Sequence, residues 1–202
     1  MTSWGKRLVL VALALCISSL ARGELLEQEW IQLIQGGIVW HKDLPPVDPS
    51  EAGGFGGTFF LLIKASPESI FQLFTDWSKY PRLFSRVREC ELVEKSEGVQ
   101  VVRFKVDAIF FMLDYFLRHT LDSQHCRISW KLDRTHPNTV KFATGYISIE
   151  KAPGMNGRSL VTYAADADIS KPFFLPSILK RRYMKKEVFR ALGELRTIAE
   201  TH

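Results

Sequence analysis

Ala65-Ser66-Pro67-Glu68-Ser69-Ile70-Phe71-Gln72-Leu73-Phe74-Thr75-Asp76-Trp77-Ser78-Lys79-Tyr80-Pro81 is the stretch on which the reading of this chain turns. Ser66 is a helix cap, Pro67 suits the first helical turn, and Ile70, Phe71 and Phe74 give a short helix its buried face. Asp76-Trp77-Ser78 interrupts that helix, and Tyr80 to Phe84 makes a second short helical or turn segment. Immediately upstream, Thr58 to Ala65 is a largely apolar run, with Lys64 near its end, suited to a buried strand. The unit is therefore strand followed by two short helices.

Downstream of Val87 the hydrophobic period becomes two, the mark of half-buried strands. Val102, Phe104, Val106 and Ala108 share one face, with Arg103, Lys105 and Asp107 on the other. Leu113, Tyr115, Leu117, His119 and Leu121 alternate with Asp114, Phe116, Arg118, Thr120 and Asp122 in the same way, and Cys126, Ile128, Trp130 and Leu132 with Arg127, Ser129, Lys131 and Asp133. Turn residues at Ser96-Glu97-Gly98, Asp122-Ser123, His136-Pro137-Asn138 and Pro153 to Gly157 separate these runs. Two more strands, about 140–151 and 158–167, complete a meander whose short links require antiparallel pairing. A long helix follows, opened by Pro176, with Met184, Val188, Ala191, Leu192, Leu195 and Ala199 on one face and Arg182, Lys186, Arg190 and Glu194 opposite. One long helix buried against one curved sheet gives an α+β domain.

Upstream, a helix is expected over about 24–35, stopped by Gly36-Gly37, then a strand to Lys42 and a Pro- and Gly-rich loop to Gly57. Residues 1–23 carry Lys6 and Arg7, an apolar run from Leu8 to Leu20 and a small-residue end, the order of a secretory signal peptide. Its removal takes three basic residues and no acid, so the chain's 27 basic residues fall to 24 against 22 acidic. A formal charge near +2 excludes a strongly basic nucleic-acid binder. Export to the periplasm or the exterior permits a disulfide between Cys90 and Cys126, although two buried thiols suit their strand positions better. No Cys/His spacing suggests a metal site, and nothing calls for a cofactor.

In element order and in residues Ala65, Ser66, Pro67, Glu68, Phe71, Asp76, Tyr80 and Pro81, the chain resembles the START and polyketide-cyclase-like superfamily (SRPBCC). Trp30 with Gly37-Ile38-Val39-Trp40 is similar to the opening of bacterial START-like proteins, and Leu175-Pro176 with Leu192, Leu195 and Arg196 to the family's last helix. The resemblance spans about 24–200. It implies a helix-grip fold with an apolar cavity between sheet and long helix, while the ligand stays open because relatives include lipid carriers, a coenzyme-Q-binding protein, cyclases and hormone receptors.

Within that frame Phe104, Tyr115, His119, Trp130, Phe142 and Tyr146, with Met184 and Val188 from the helix, are the candidate ligand-binding residues. Tyr115 and His119 lie four apart on a strand and share a side, so they can orient a polar head group or, in a cyclase, move a proton. Against this stands simple core filling by the same rings. Asp76 is read as a turn carboxylate, Asp166 and Asp168 as caps or solvated groups, and Gly53 to Gly57 as a lid lacking the features of a phosphate loop. Lys180, Arg181, Arg182, Lys185 and Lys186 beside Phe173 and Phe174 form a candidate contact with an anionic membrane surface, or else a solvated face. The expectation is a monomeric, non-enzymatic binder or transporter of a hydrophobic small molecule. A polyketide cyclase/dehydratase-like enzyme and a protein–protein interaction module are the alternatives.

Overall fold

The structure is a computed structural model that describes residues 25–41, 56–108, 111–168 and 177–201, with the backbone alone over 177–181. The signal peptide expected at 1–23, most of the Pro/Gly loop, Phe173, Phe174, Pro176 and the side chains of Lys180 and Arg181 lie outside the described residues.

The elements run α1 (Glu27–Ile34), β1 (Ile38–His41), β2 (Gly57–Ile63), α2 (Pro67–Thr75), a 3₁₀ turn (Trp77–Lys79) and α3 (Tyr80–Leu83). There follow β3 (Val87–Ser96), β4 (Val99–Asp107), β5 (Met112–Asp122), β6 (Arg127–Leu132), β7 (Phe142–Lys151), β8 (Ser159–Asp168) and α4 (Ser177–Ala199). The strands form one open antiparallel sheet in the order β1-β2-β8-β7-β6-β5-β4-β3. The meander β3 to β8 is the expected one, and β2 joins β8 rather than its sequence neighbour β3. The two helices between β2 and β3 make that crossing.

The α2 start follows its local chemistry: the Ser66 Oγ accepts from the Ser69 backbone N–H at 3.1 Å, and Pro67 occupies the first turn. Asp76 ends the helix in a turn, where its carboxylate accepts from Ser78 Oγ at 2.6 Å and pairs with Lys79 at 2.9 Å.

Burial explains the seven apolar or small residues of β2. Phe59, Leu61 and Ile63 enter the main core with Val161, Ile147, Ile70 and Leu195. Phe60 and Leu62 point the other way, into a second cluster where Leu25, Trp30 and Leu33 cover Val39 and Leu160. Leu33 is fully buried there, which contributes on the order of 2 kcal/mol. Arg196 of α4 donates to the carbonyl oxygens of Gly36 and Gly37 at 2.5 and 3.2 Å, fastening the end of α1 to the last helix.

The edge strand β3 breaks register with β4 twice, between Val87 and Glu89 and between Leu92 and Glu94. Cys90 and Cys126 are free thiols, Cys90 half-buried on the inner side and Cys126 buried at the start of β6 with φ +45°.

Candidate functional site: an aromatic cavity

Strand register sets which side chains meet beneath α4. Phe104 lies opposite Tyr115. His119 stands between Gln100 on β4 and Trp130 on β6, and Trp130 lies opposite Gly145. A further row runs Trp40, Phe59, Tyr163, Ile147 and Ile128. All of these except Gln100 and Gly145 line a cavity of about 370 Å3, within the range that holds a small molecule.

The segment quoted at the outset closes one end. Phe74, Trp77 and Tyr80 fall three residues apart, and the 3₁₀ turn brings side chains at that spacing onto one side. All three are buried and line the cavity. Trp77 Nε1 donates to Gln100 Oε1 at 2.5 Å, and the Tyr80 hydroxyl donates to the Phe74 carbonyl at 2.8 Å. The Trp77 ring then stands 4.6 Å from His119 and edge-on to Phe104 at 6.3 Å.

The helix supplies the other wall. Met184, Val188, Ala191 and Leu192 face the cavity, and Phe189 packs edge-on against Phe59 at 5.5 Å. Lys185, expected on the outer basic face, turns inward instead. Its ammonium sits 3.7 Å from the centre of the Trp40 ring, because helical spacing groups it with Val188, Phe189 and Leu192. Arg190 and Glu194 also leave the expected outer face. Arg190 pairs with Glu187, which reaches Arg86 at 3.4 Å, while Glu194 accepts from the Ser85 backbone N–H and hydroxyl at 3.1 and 2.8 Å. Arg182 and Lys186 are exposed.

The walls are mostly apolar, but Asp107 also lines the cavity, as do Asp166 and Asp168, which were expected as caps or solvated groups. His119 is 4% exposed, and its Nδ1 is buried without a hydrogen-bond partner. Burial lowers its pKa to about 4, with the nearby backbone of Leu117 and Gln100 offsetting part of the effect. The Tyr115 hydroxyl is pushed well up by burial, and that of Tyr163 to about 12 for the same reason. At neutral pH the imidazole and both phenols are uncharged. Cys90, on the same side, has its thiol pushed up to about 12 by burial, which removes thiolate chemistry at neutral pH. Among the described residues, no cluster of three or more His, Cys, Asp or Glu side chains is arranged to hold a metal ion.

Of the residues expected to meet a ligand, the structure brings Phe104, Tyr115, His119, Trp130, Met184 and Val188 to one cavity. Phe142 and Tyr146 are not among its lining. They alternate with Ala143, Gly145 and Ile147, which face inward, and so lie on the opposite side of β7. There the Arg127 guanidinium stands 4.1 Å over the Tyr146 ring. The sequence reading missed Trp40, Phe59, Trp77, Tyr80 and Tyr163. The three-residue spacing of Phe74, Trp77 and Tyr80 was the available signal for two of them.

Residues 61–200 match the family described as polyketide cyclase / dehydrase and lipid transport. The chain belongs to that family. The polyketide cyclase/dehydrase and lipid transport family gathers both activities under one fold, which suits a site whose walls are mostly hydrocarbon. No curated protein matches the chain. Among solved structures it is similar to a STAR-related lipid transfer protein fragment from Xanthomonas axonopodis, with 17% identity, TM-score 0.61, and coverage of 81% of this chain and 98% of that one. It is also similar to the Zhui aromatase/cyclase from Streptomyces sp. R1128, with 19% identity, TM-score 0.58, and coverage of 71% and 92%. A START superfamily protein from Mycobacterium smegmatis matches at 15% identity and TM-score 0.56, covering 70% and 97%. These likenesses establish the helix-grip fold that family membership implies.

Proposed function

We propose that the protein binds a hydrophobic small molecule, such as a lipid or quinone, in the cavity beneath α4 and carries it without converting it. The observation that carries this reading is the lining: a 370 Å3 space walled by Trp, Tyr, Phe and aliphatic side chains. Such a surface removes an apolar ligand from water at about 25 cal/mol per Å2. The signal-peptide pattern of residues 1–23 supports placing this carriage outside the cytoplasm. The exposed Arg182 and Lys186 support a transient approach of α4 to an anionic membrane, where ligand would be exchanged.

The cyclase or dehydratase reading draws on the family description and on Tyr115 and His119 lining one cavity. Their protonation weighs against it. A general acid or base works best with a pKa near the operating pH, and burial moves His119 down and Tyr115 up, both away from neutrality.

Native mass spectrometry of gently purified protein, followed by solvent extraction, should show a stoichiometric apolar compound. A cavity that stays empty and takes up no apolar compound offered to it would sink the proposal.

A further inference from the structure

The cavity has a polar floor of a particular kind. His119 is buried among Trp77 at 4.6 Å, Phe104 at 6.0 Å and Trp130 at 6.3 Å. Its Nδ1 has no hydrogen-bond partner in the chain. A buried polar atom left in that state costs about 1–3 kcal/mol, and the ring that carries it lines the cavity, where a ligand group can supply the missing partner.

The cationic groups of the lining are largely engaged elsewhere, although Arg190 keeps its buried Nε without a hydrogen-bond partner. Arg86 and Arg190 meet at Glu187, and Lys185 rests on Trp40. The groups beside His119 are indole and phenyl rings, with the uncharged phenol of Tyr115 four residues along the same strand. Bringing a carboxylate or phosphate to this point would strip its water and offer one neutral imidazole in return. A hydroxyl or carbonyl loses far less water and gains a hydrogen bond.

We infer that His119 selects an uncharged ligand, one whose apolar body fills the aromatic cavity and whose single hydroxyl or carbonyl group hydrogen-bonds the imidazole, and that it excludes carboxylates and phosphates. This inference rests on the binding reading proposed above.

Three naphthalene probes of nearly equal shape test it at pH 7: 2-naphthol, 2-methylnaphthalene and 2-naphthoate, by equilibrium dialysis against delipidated full-length mature protein. The ratio of 2-naphthol to 2-methylnaphthalene affinity should fall about 3- to 10-fold in His119→Phe, the worth of one hydrogen bond. In His119→Gln, which keeps a donor and an acceptor, the ratio should stay within about twofold of the wild type. His119→Met serves as a second apolar variant if His119→Phe does not fold. An unchanged ratio in the apolar variants, or tighter binding of 2-naphthoate than of 2-naphthol by the wild type, would overturn the inference while leaving the cavity reading intact. If the wild type binds none of the three probes, the cavity reading is overturned, and the inference with it.

Discussion

The indole of Trp130 lies across Gly145, its partner on the neighbouring strand, so closely that a Cβ at position 145 would stand 2.4 Å from the ring. The glycine gives the tryptophan room to lie against the sheet, 5.4 Å from Tyr163, rather than stand up into the cavity.

Gly145→Ala should therefore act on both fold and site. The added carbon meets the Ala164 carbonyl oxygen as well as the ring, and overpacking of this kind costs about 1–3 kcal/mol. Urea unfolding should show that loss, and the displaced indole should lower the occupancy of apolar probes by solvent extraction.

Stability should depend on pH through His119. Its folded pKa, about 4, lies below the ordinary histidine value of 6.5. Above pH 6.5 both states hold the ring neutral and its contribution is intact. Between pH 6.5 and 4 the unfolded chain binds the proton first, so stability falls as pH falls, by about 3 kcal/mol in all. Denaturant titrations at pH 7.5 and 4.5 on wild type and His119→Gln should differ, with the variant showing the smaller loss.

The cap of α2 offers a control remote from the cavity. Ser66→Ala removes the acceptor for the Ser69 N–H and should cost about 1 kcal/mol, read as a fall in Tm of about 2–4 °C. Ligand content should be unchanged at a temperature where the variant remains folded.

Filling the space tests it from the other direction. Ala143 lines the cavity as a small residue on β7. Ala143→Phe should reduce the ligand that copurifies by about tenfold or more, with a change in stability of about 1–3 kcal/mol at most. Quantitative extraction and thermal unfolding measure the two effects.

The sheet was legible because alternation is physically enforced where one face is buried, as in Val102, Phe104, Leu117 and Ile128. The long helix was legible through Val188, Leu192 and Leu195 for the same reason. On β7 this logic fails. Its inner residues include Ala143, which lines the cavity, and Gly145, small because Trp130 from the next strand occupies its space, while the aromatic Phe142 and Tyr146 lie on the far side. Side-chain size alone pointed to the wrong face. Trp77 escaped notice because it sits in a break between helices, where periodicity carries no information until the turn is known to be 3₁₀.

The two interruptions of register along β3 bear on what happens at the sheet's margins. An open sheet presents unpaired backbone at both outer strands, and that backbone invites another chain to add on. Here the β1 margin offers only four residues. The β3 margin carries Glu89, Glu91, Glu94 and Lys95, and its exposed Leu92 and Val93 fall at the second interruption, where a straight incoming strand would lose alignment. Charge, brevity and broken register at its two outer strands thus discourage edge-to-edge addition to the sheet whose inner face lines the cavity.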